Sequence, residues 1–105
     1  MPQFMVYRNT NPKSKAAIPY LVDIQNDLLS DLHTRVVIPL FLRRGMNIKP
    51  ITVLTPEFEV EGKKVVLLTP QLAGISSQEL RSPVASLSQK RTEITAALDL
   101  LVTGF

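Results

Sequence analysis

The chain contains no cysteine. That absence excludes a disulfide scaffold, a thiol nucleophile and a cysteine-ligated zinc site together. Histidine occurs once, at His33. No Gly-x-Ser-x-Gly elbow accompanies it, and a lone histidine in a polar stretch is usually solvated surface. The four glycines stand alone at 45, 62, 74 and 104, so no GxGxxG or GxxxxGK[ST] loop is present to cradle a nucleotide. HExxH and carboxylate metal patterns are missing too, and the residues ask for no metal and no cofactor. The longest apolar run, Val36 to Leu42, contains Pro39 and falls far short of the about 20 residues that a bilayer span needs. The opening MPQFMVYRNTNPKSK lacks the charged-then-apolar order of a signal peptide. The expectation is a cytoplasmic chain without membrane contact.

What is present is ordinary globular composition over 105 residues, 45% hydrophobic and 20% charged, which predicts a single domain spanning 1–105. The net charge of +3 is unevenly spread. Residues 1–49 carry seven basic and three acidic side chains, a net of +4, whereas residues 50–105 carry five and six, a net of −1. No run exceeds two like charges; the doublets are Arg43-Arg44, Lys63-Lys64 and Lys90-Arg91. Without a denser stripe or interleaved aromatics, these read as a solvated mixed face rather than a nucleic-acid track.

The first eighty residues read as short strands cut by proline and glycine. Strands are expected at Phe4–Tyr7, Tyr20–Ile24, Arg35–Leu40 and Ile48–Leu54, with another short one at Leu72–Ile75. Pro39 lacks a ladder N–H, which predicts a bulge or an edge there. Phe58–Leu68 is a hairpin with its turn near Glu61-Gly62-Lys63. Asn26–Thr34 is a loop or one helical turn. From Leu87 the period changes: Ile94, Ala97, Leu98 and Leu101 fall on one helix face. Ser86-Leu87-Ser88-Gln89 offers a capping box. The expected fold class is mainly β with one C-terminal α-helix, the strands forming a small barrel or curled sheet.

Few residues suggest chemistry. Asp23 and Asp27 would share a helix face, but on a strand they diverge, and turn hydrogen bonds account for them better. Glu57, Glu59 and Glu61 alternate along a strand and read as a solvent-facing edge without basic partners opposite. The last six residues, LLVTGF, admit two readings. Gly104 can be a left-handed helix stop with Phe105 folded back on Leu100, or the apolar end can be kept available for a partner. The chain looks built to touch something rather than to catalyse.

At PYLVDIQNDLL (Pro19 to Leu29) and RVVIPL (Arg35 to Leu40) the sequence resembles the CcdB family, toxins of toxin–antitoxin modules that poison DNA gyrase. The opening Gln3-Phe4 and Val6-Tyr7 and the helix running to a Gly-apolar end extend the likeness, while Phe41 to Ile75 follows the family in pattern alone. The resemblance implies an SH3-like barrel with a small added sheet and a C-terminal helix, assembled as a twofold homodimer. It implies binding to the gyrase A subunit, trapping of the cleaved-DNA complex, and no catalysis. It also implies removal by a CcdA-like antitoxin and repression of the module's promoter by the toxin–antitoxin complex, with operator DNA reached through the antitoxin. The positions matching the family's gyrase-facing residues are Thr103, Gly104, Phe105, Asp99, Leu28 and Leu29. Where the family pattern ends Trp-Gly-Ile, Thr103 stands in the tryptophan's place. Phe105 can return some aromatic contact to a guanidinium, worth ~0.5–2 kcal/mol.

Two alternatives remain at this level. One is a metal-independent endoribonuclease on the same fold, as in MazF-type toxins, with Asp23 or His33 as base and Arg35 as cation. The other is a non-toxic, antitoxin-binding relative, which the Thr103 substitution motivates.

Overall fold

The computed structural model describes residues 2–47 and 49–104. The elements are β1 (Met5–Arg8), β2 (Tyr20–Asp23), β3 (Thr34–Leu42), β4 (Glu57–Val60), β5 (Lys63–Leu67), β6 (Ala73–Ser76), β7 (Pro83–Ser86) and α1 (Arg91–Thr103), joined by short 3-10 turns. The protein is thus mainly β with a single C-terminal helix. Neighbouring strands run in the order β4-β5-β3-β2-β1-β7, all antiparallel, with β6 paired to the first half of β3. No helix among the described residues is long and apolar enough to cross a membrane.

β3 organises the sheet because it is long and keeps β2 on one side while changing partner on the other. Residues 34–37 pair with β6 and residues 40–42 with β5. Pro39 lies at the change. Its carbonyl accepts from Leu68 N–H at 3.1 Å, and the N and O of one strand residue point the same way. The missing N–H therefore faces the gap between β6 and β5 and costs no ladder bond. The expected bulge or edge is replaced by a switch of partner inside a continuous strand.

The sheet curls around one core. Val6, Tyr20, Val22, Ile38, Leu40, Val65 and Leu67 point inward, and α1 closes that side with Ile94 and Ala97. A second, smaller cluster of Tyr7, Val37 and Leu80 lies apart from it. At the β4–β5 turn Glu61 and Gly62 take φ of 53° and 77°, the left-handed pair that a two-residue hairpin turn requires. Glu61 then reaches across the curled sheet, accepting from the Tyr20 hydroxyl at 2.6 Å and from Arg8 at 2.9 Å. These bonds tie the hairpin tip to β1 and β2. Burial pushes the Tyr20 hydroxyl up to about 12, with the Glu61 hydrogen bond adding to it. The same bond, with Arg8 nearby, holds Glu61 below the usual carboxylate range.

Several sequence expectations need correction. Glu57, Glu59 and Glu61 do lie on or beside the edge strand β4, but basic partners exist: Arg43 beside Glu57 at 3.9 Å, Lys64 across from Glu59, and Arg8 on Glu61. The strand expected at Ile48–Leu54 is absent over its described part. Between Pro50 and Pro56, Thr55 N–H donates to the Ile51 carbonyl at 2.8 Å and the Thr55 hydroxyl accepts from Ile51 N–H at 2.7 Å. The chain closes into a turn, leaving Ile51 and Val53 exposed; Ile48 lies outside the described residues. The first strand begins at Met5 because Phe4 has φ of 68°. That strained backbone is over-determined: Phe4 N–H bonds the Asp23 carbonyl, its carbonyl accepts from Leu87 N–H, and its ring is buried. The capping box gives way to β7, where Ser86 pairs with Met5. The Ser86 hydroxyl accepts from Ser88 N–H in the 3-10 turn Ser88–Lys90, and α1 starts after it at Arg91.

Candidate functional site

The positions expected to meet a partner lie on two separate elements. The first is the end of α1. Ala97 is its last fully buried residue; Leu101 is 37% and Val102 76% exposed, and Asp99, Thr103 and Gly104 are exposed as well. Thr103 donates its hydroxyl to the Asp99 carbonyl at 2.7 Å, a bond within the helix's own last turn. Gly104 has φ of 81° and sends its N–H to the Leu100 carbonyl at 3.1 Å. This is the single bond of a left-handed cap, which glycine makes without a Cβ clash. Gly104 therefore stops the helix as expected. Phe105, and with it the contact to Leu100, lies outside the described residues.

The second element is the 3-10 turn Asp27–Leu29 between β2 and β3. Leu28 stands 90% exposed at its tip and Leu29 is half-exposed. The turn is fixed by short-range polar chemistry. Asn26 caps it, its side-chain oxygen accepting from Leu28 N–H at 2.8 Å. Asp27 accepts from Gln3 N–H at 2.7 Å, and the Ser30 hydroxyl donates to the Asp27 carbonyl. Among the described residues no hydrogen bond or ion pair links this turn to the end of α1, so the two groups are presented independently.

Beneath the turn lies a network that sequence reasoning missed. Arg35 Nε meets Asp23 Oδ2 at 2.7 Å with both side chains almost wholly buried. The other Asp23 oxygen accepts from Gln25 N–H at 3.0 Å. Gln25 accepts from Val36 N–H at 3.1 Å and donates to the Leu29 carbonyl at 3.0 Å. The chain of contacts thus runs from a buried ion pair, through one glutamine, to the backbone of the exposed leucines. Burial and the Asp23 charge raise the hydroxyl pKa of the neighbouring Tyr7. Asp23 and Arg35 alternate onto the face of the smaller cluster, beside Tyr7 and Val37, and a charge buried there needs a partner.

This placement bears on catalysis. Asp23 and Arg35 face each other inside the protein, where no substrate reaches them, while His33 is exposed. The candidate base and cation are therefore not brought together on an accessible surface. What the surface offers is contact: two apolar elements, one clamped and one projecting. The family profile described as CcdB protein matches residues 3–104, nearly the whole chain. The chain belongs to that family, and membership suggests a toxin of a toxin–antitoxin module.

Proposed function

We propose that this CcdB-family chain poisons DNA gyrase by binding alone. It folds as a single domain, an SH3-like barrel with the β4–β5 wing as its small added sheet, and pairs as a twofold homodimer in the cytoplasm. Twofold symmetry places both helix ends on one self-matched surface. Thr103, Gly104 and Phe105, helped by Asp99, Leu28 and Leu29, meet the dimerisation region of the gyrase A subunit while its gate is open. The enzyme is then held with its DNA cleaved. A CcdA-like antitoxin lifts the toxin off, covering the helix ends and the Asn9–Lys15 loop, and the toxin–antitoxin complex represses its own promoter.

The observation that carries this reading is the exposure of Leu101 to Gly104 at the end of a helix anchored by Ile94 and Ala97. Each tip is small, but two tips entering a twofold partner multiply weak contacts through effective concentration. Thr103 in the tryptophan's place removes an anchor of a kind that often contributes ~2 kcal/mol or more, so affinity for gyrase is lower than the family pattern would give. Purified gyrase incubated with DNA, ATP and the protein should accumulate covalently linked, cleaved DNA. Unchanged turnover at saturating protein would reject the proposal, and specific fragmentation of added RNA would replace it with the nuclease reading.

A further inference from the structure

Two of the three like-charge doublets, far apart in sequence, meet in space. Leu42 on β3 pairs with Val65 on β5. That register carries Arg43 and Arg44, just past Leu42, alongside Lys64 and Lys63. The four cations line a groove of about 530 Å³ whose remaining walls are Leu42 and Gly62. Among the described residues no carboxylate lines it.

Little nearby neutralises this charge. Glu57 approaches Arg43 only to 3.9 Å, between side chains that are both well exposed. Glu61, the acid on the adjoining turn, is engaged first by Tyr20 and Arg8, and the Lys63 charge is the weakest influence on it. The Lys63 ammonium lies 5.8 Å from the centre of the Tyr20 ring, a contact that leaves its charge intact. Lys64 sits across from Glu59 on β4 without closing to an ion pair, and among the described residues Arg44 and Lys63 make none either. Four like charges gathered around one cleft repel each other.

We propose that this groove docks a short acidic peptide segment of a partner protein. Carboxylates of the segment pair with Arg44 and Lys64 on opposite walls, and Arg43 and Lys63 add to the field. Arginine suits this role because its planar fork donates two parallel N–H bonds to one carboxylate. A nucleic-acid duplex fits less well. Its charge recurs every ~1.7 Å along the axis, and a rod of that kind would bring phosphates against Glu57 and Glu59 on the exposed face of β4. A single strand would find no aromatic ring in the groove on which to stack a base. The inference is independent of how the helix ends act.

The test is fluorescence anisotropy with a labelled Glu/Asp-rich peptide carrying one central leucine, added to the full chain at low salt. The peptide binds the parent protein. Arg44→Ala and Lys64→Ala each weaken binding roughly 2- to 5-fold, the range for exposed pairs. Arg44→Glu combined with Lys64→Glu weakens it about tenfold or more by the same reasoning. Arg81→Ala, an exposed cation elsewhere, leaves it unchanged. All three positions are exposed, and circular dichroism checks that each variant is folded. Three results overturn the proposal: no peptide binding up to about 1 mM, binding indifferent to Arg44 and Lys64, or random-sequence duplex DNA binding more tightly than the peptide and losing affinity with the same substitutions.

Discussion

The two apolar elements proposed to meet a partner are held in opposite ways. Leu28 and Leu29 stand on a turn whose backbone is bonded by Gln25, which is bonded in turn to the strands carrying the Asp23–Arg35 ion pair. The end of α1 has no such foundation. Past Leu98, which still packs against the core, its last turn is held by its own helical bonds, the Thr103 hydroxyl and the Gly104 cap. The turn is a rigid prominence built out of the core, and the helix end is a projection that the core does not need. Removing what lies under the turn should therefore cost the whole fold, and removing the helix end should cost only contact.

The sharpest way to break that contrast is at the buried pair. Arg35→Ala leaves Asp23 charged and enclosed, and should destabilise the protein by about 3–5 kcal/mol. For a domain of this size that is a fall of about 15 °C or more in Tm. A loss below about 1 kcal/mol in urea unfolding would mean the turn does not rest on this pair.

A smaller effect tests the hairpin latch. The Tyr20 hydroxyl is raised to about 12 in the folded state by burial first and Glu61 second, against ~10 in an unfolded chain. Its contribution is therefore complete below pH ~10 and is lost as pH climbs through about 12, up to ~2–3 kcal/mol. Urea midpoints followed across this window should fall, and Tyr20→Phe should flatten the decline. A parallel fall in the Tyr20→Phe protein would assign the alkaline loss to other groups.

Smaller still is the cap. Gly104→Ala puts a Cβ on a left-handed residue at the exposed end and should cost about 1 kcal/mol or less, visible as a slight shift in thermal unfolding. Leu28→Ser is smallest for stability, within about 0.5 kcal/mol, because the side chain touches little. On the proposed function it should nevertheless weaken gyrase poisoning, measured as cleaved DNA at fixed protein. Unimpaired poisoning would remove Leu28 from the docking surface.

Much of the fold was legible because it rests on local rules. The alternation around Phe58–Leu68 with Gly62 at its centre specifies the hairpin, and Ile94 and Ala97 specify the helix face. The misses have two causes, local turn chemistry in one place and tertiary pairing in the others. The run at 51–54 alternates like a strand, yet two flanking prolines and the Thr55 side chain fold it into a turn. Pro83–Ser86 is a four-residue strand opening on proline, too short to be read before β1 was known to lie beside it. Pro39 was read as a break because only the sheet shows its missing N–H facing a gap between partners. For the site, exposure of Leu28 and of the helix end follows from their place in loops and termini. The buried glutamine and ion pair do not, since side chains 12 residues apart meet only through the β2–β3 register.

The most direct measurement removes Thr103 to Phe105 and follows two quantities in the same protein, its unfolding temperature and its accumulation of gyrase-cleaved DNA. The account predicts an unfolding temperature within about 4 °C of the parent, the shift of at most ~1 kcal/mol, and no cleaved DNA. A shortened protein that unfolds, or one that still traps cleaved DNA as the parent does, would contradict it.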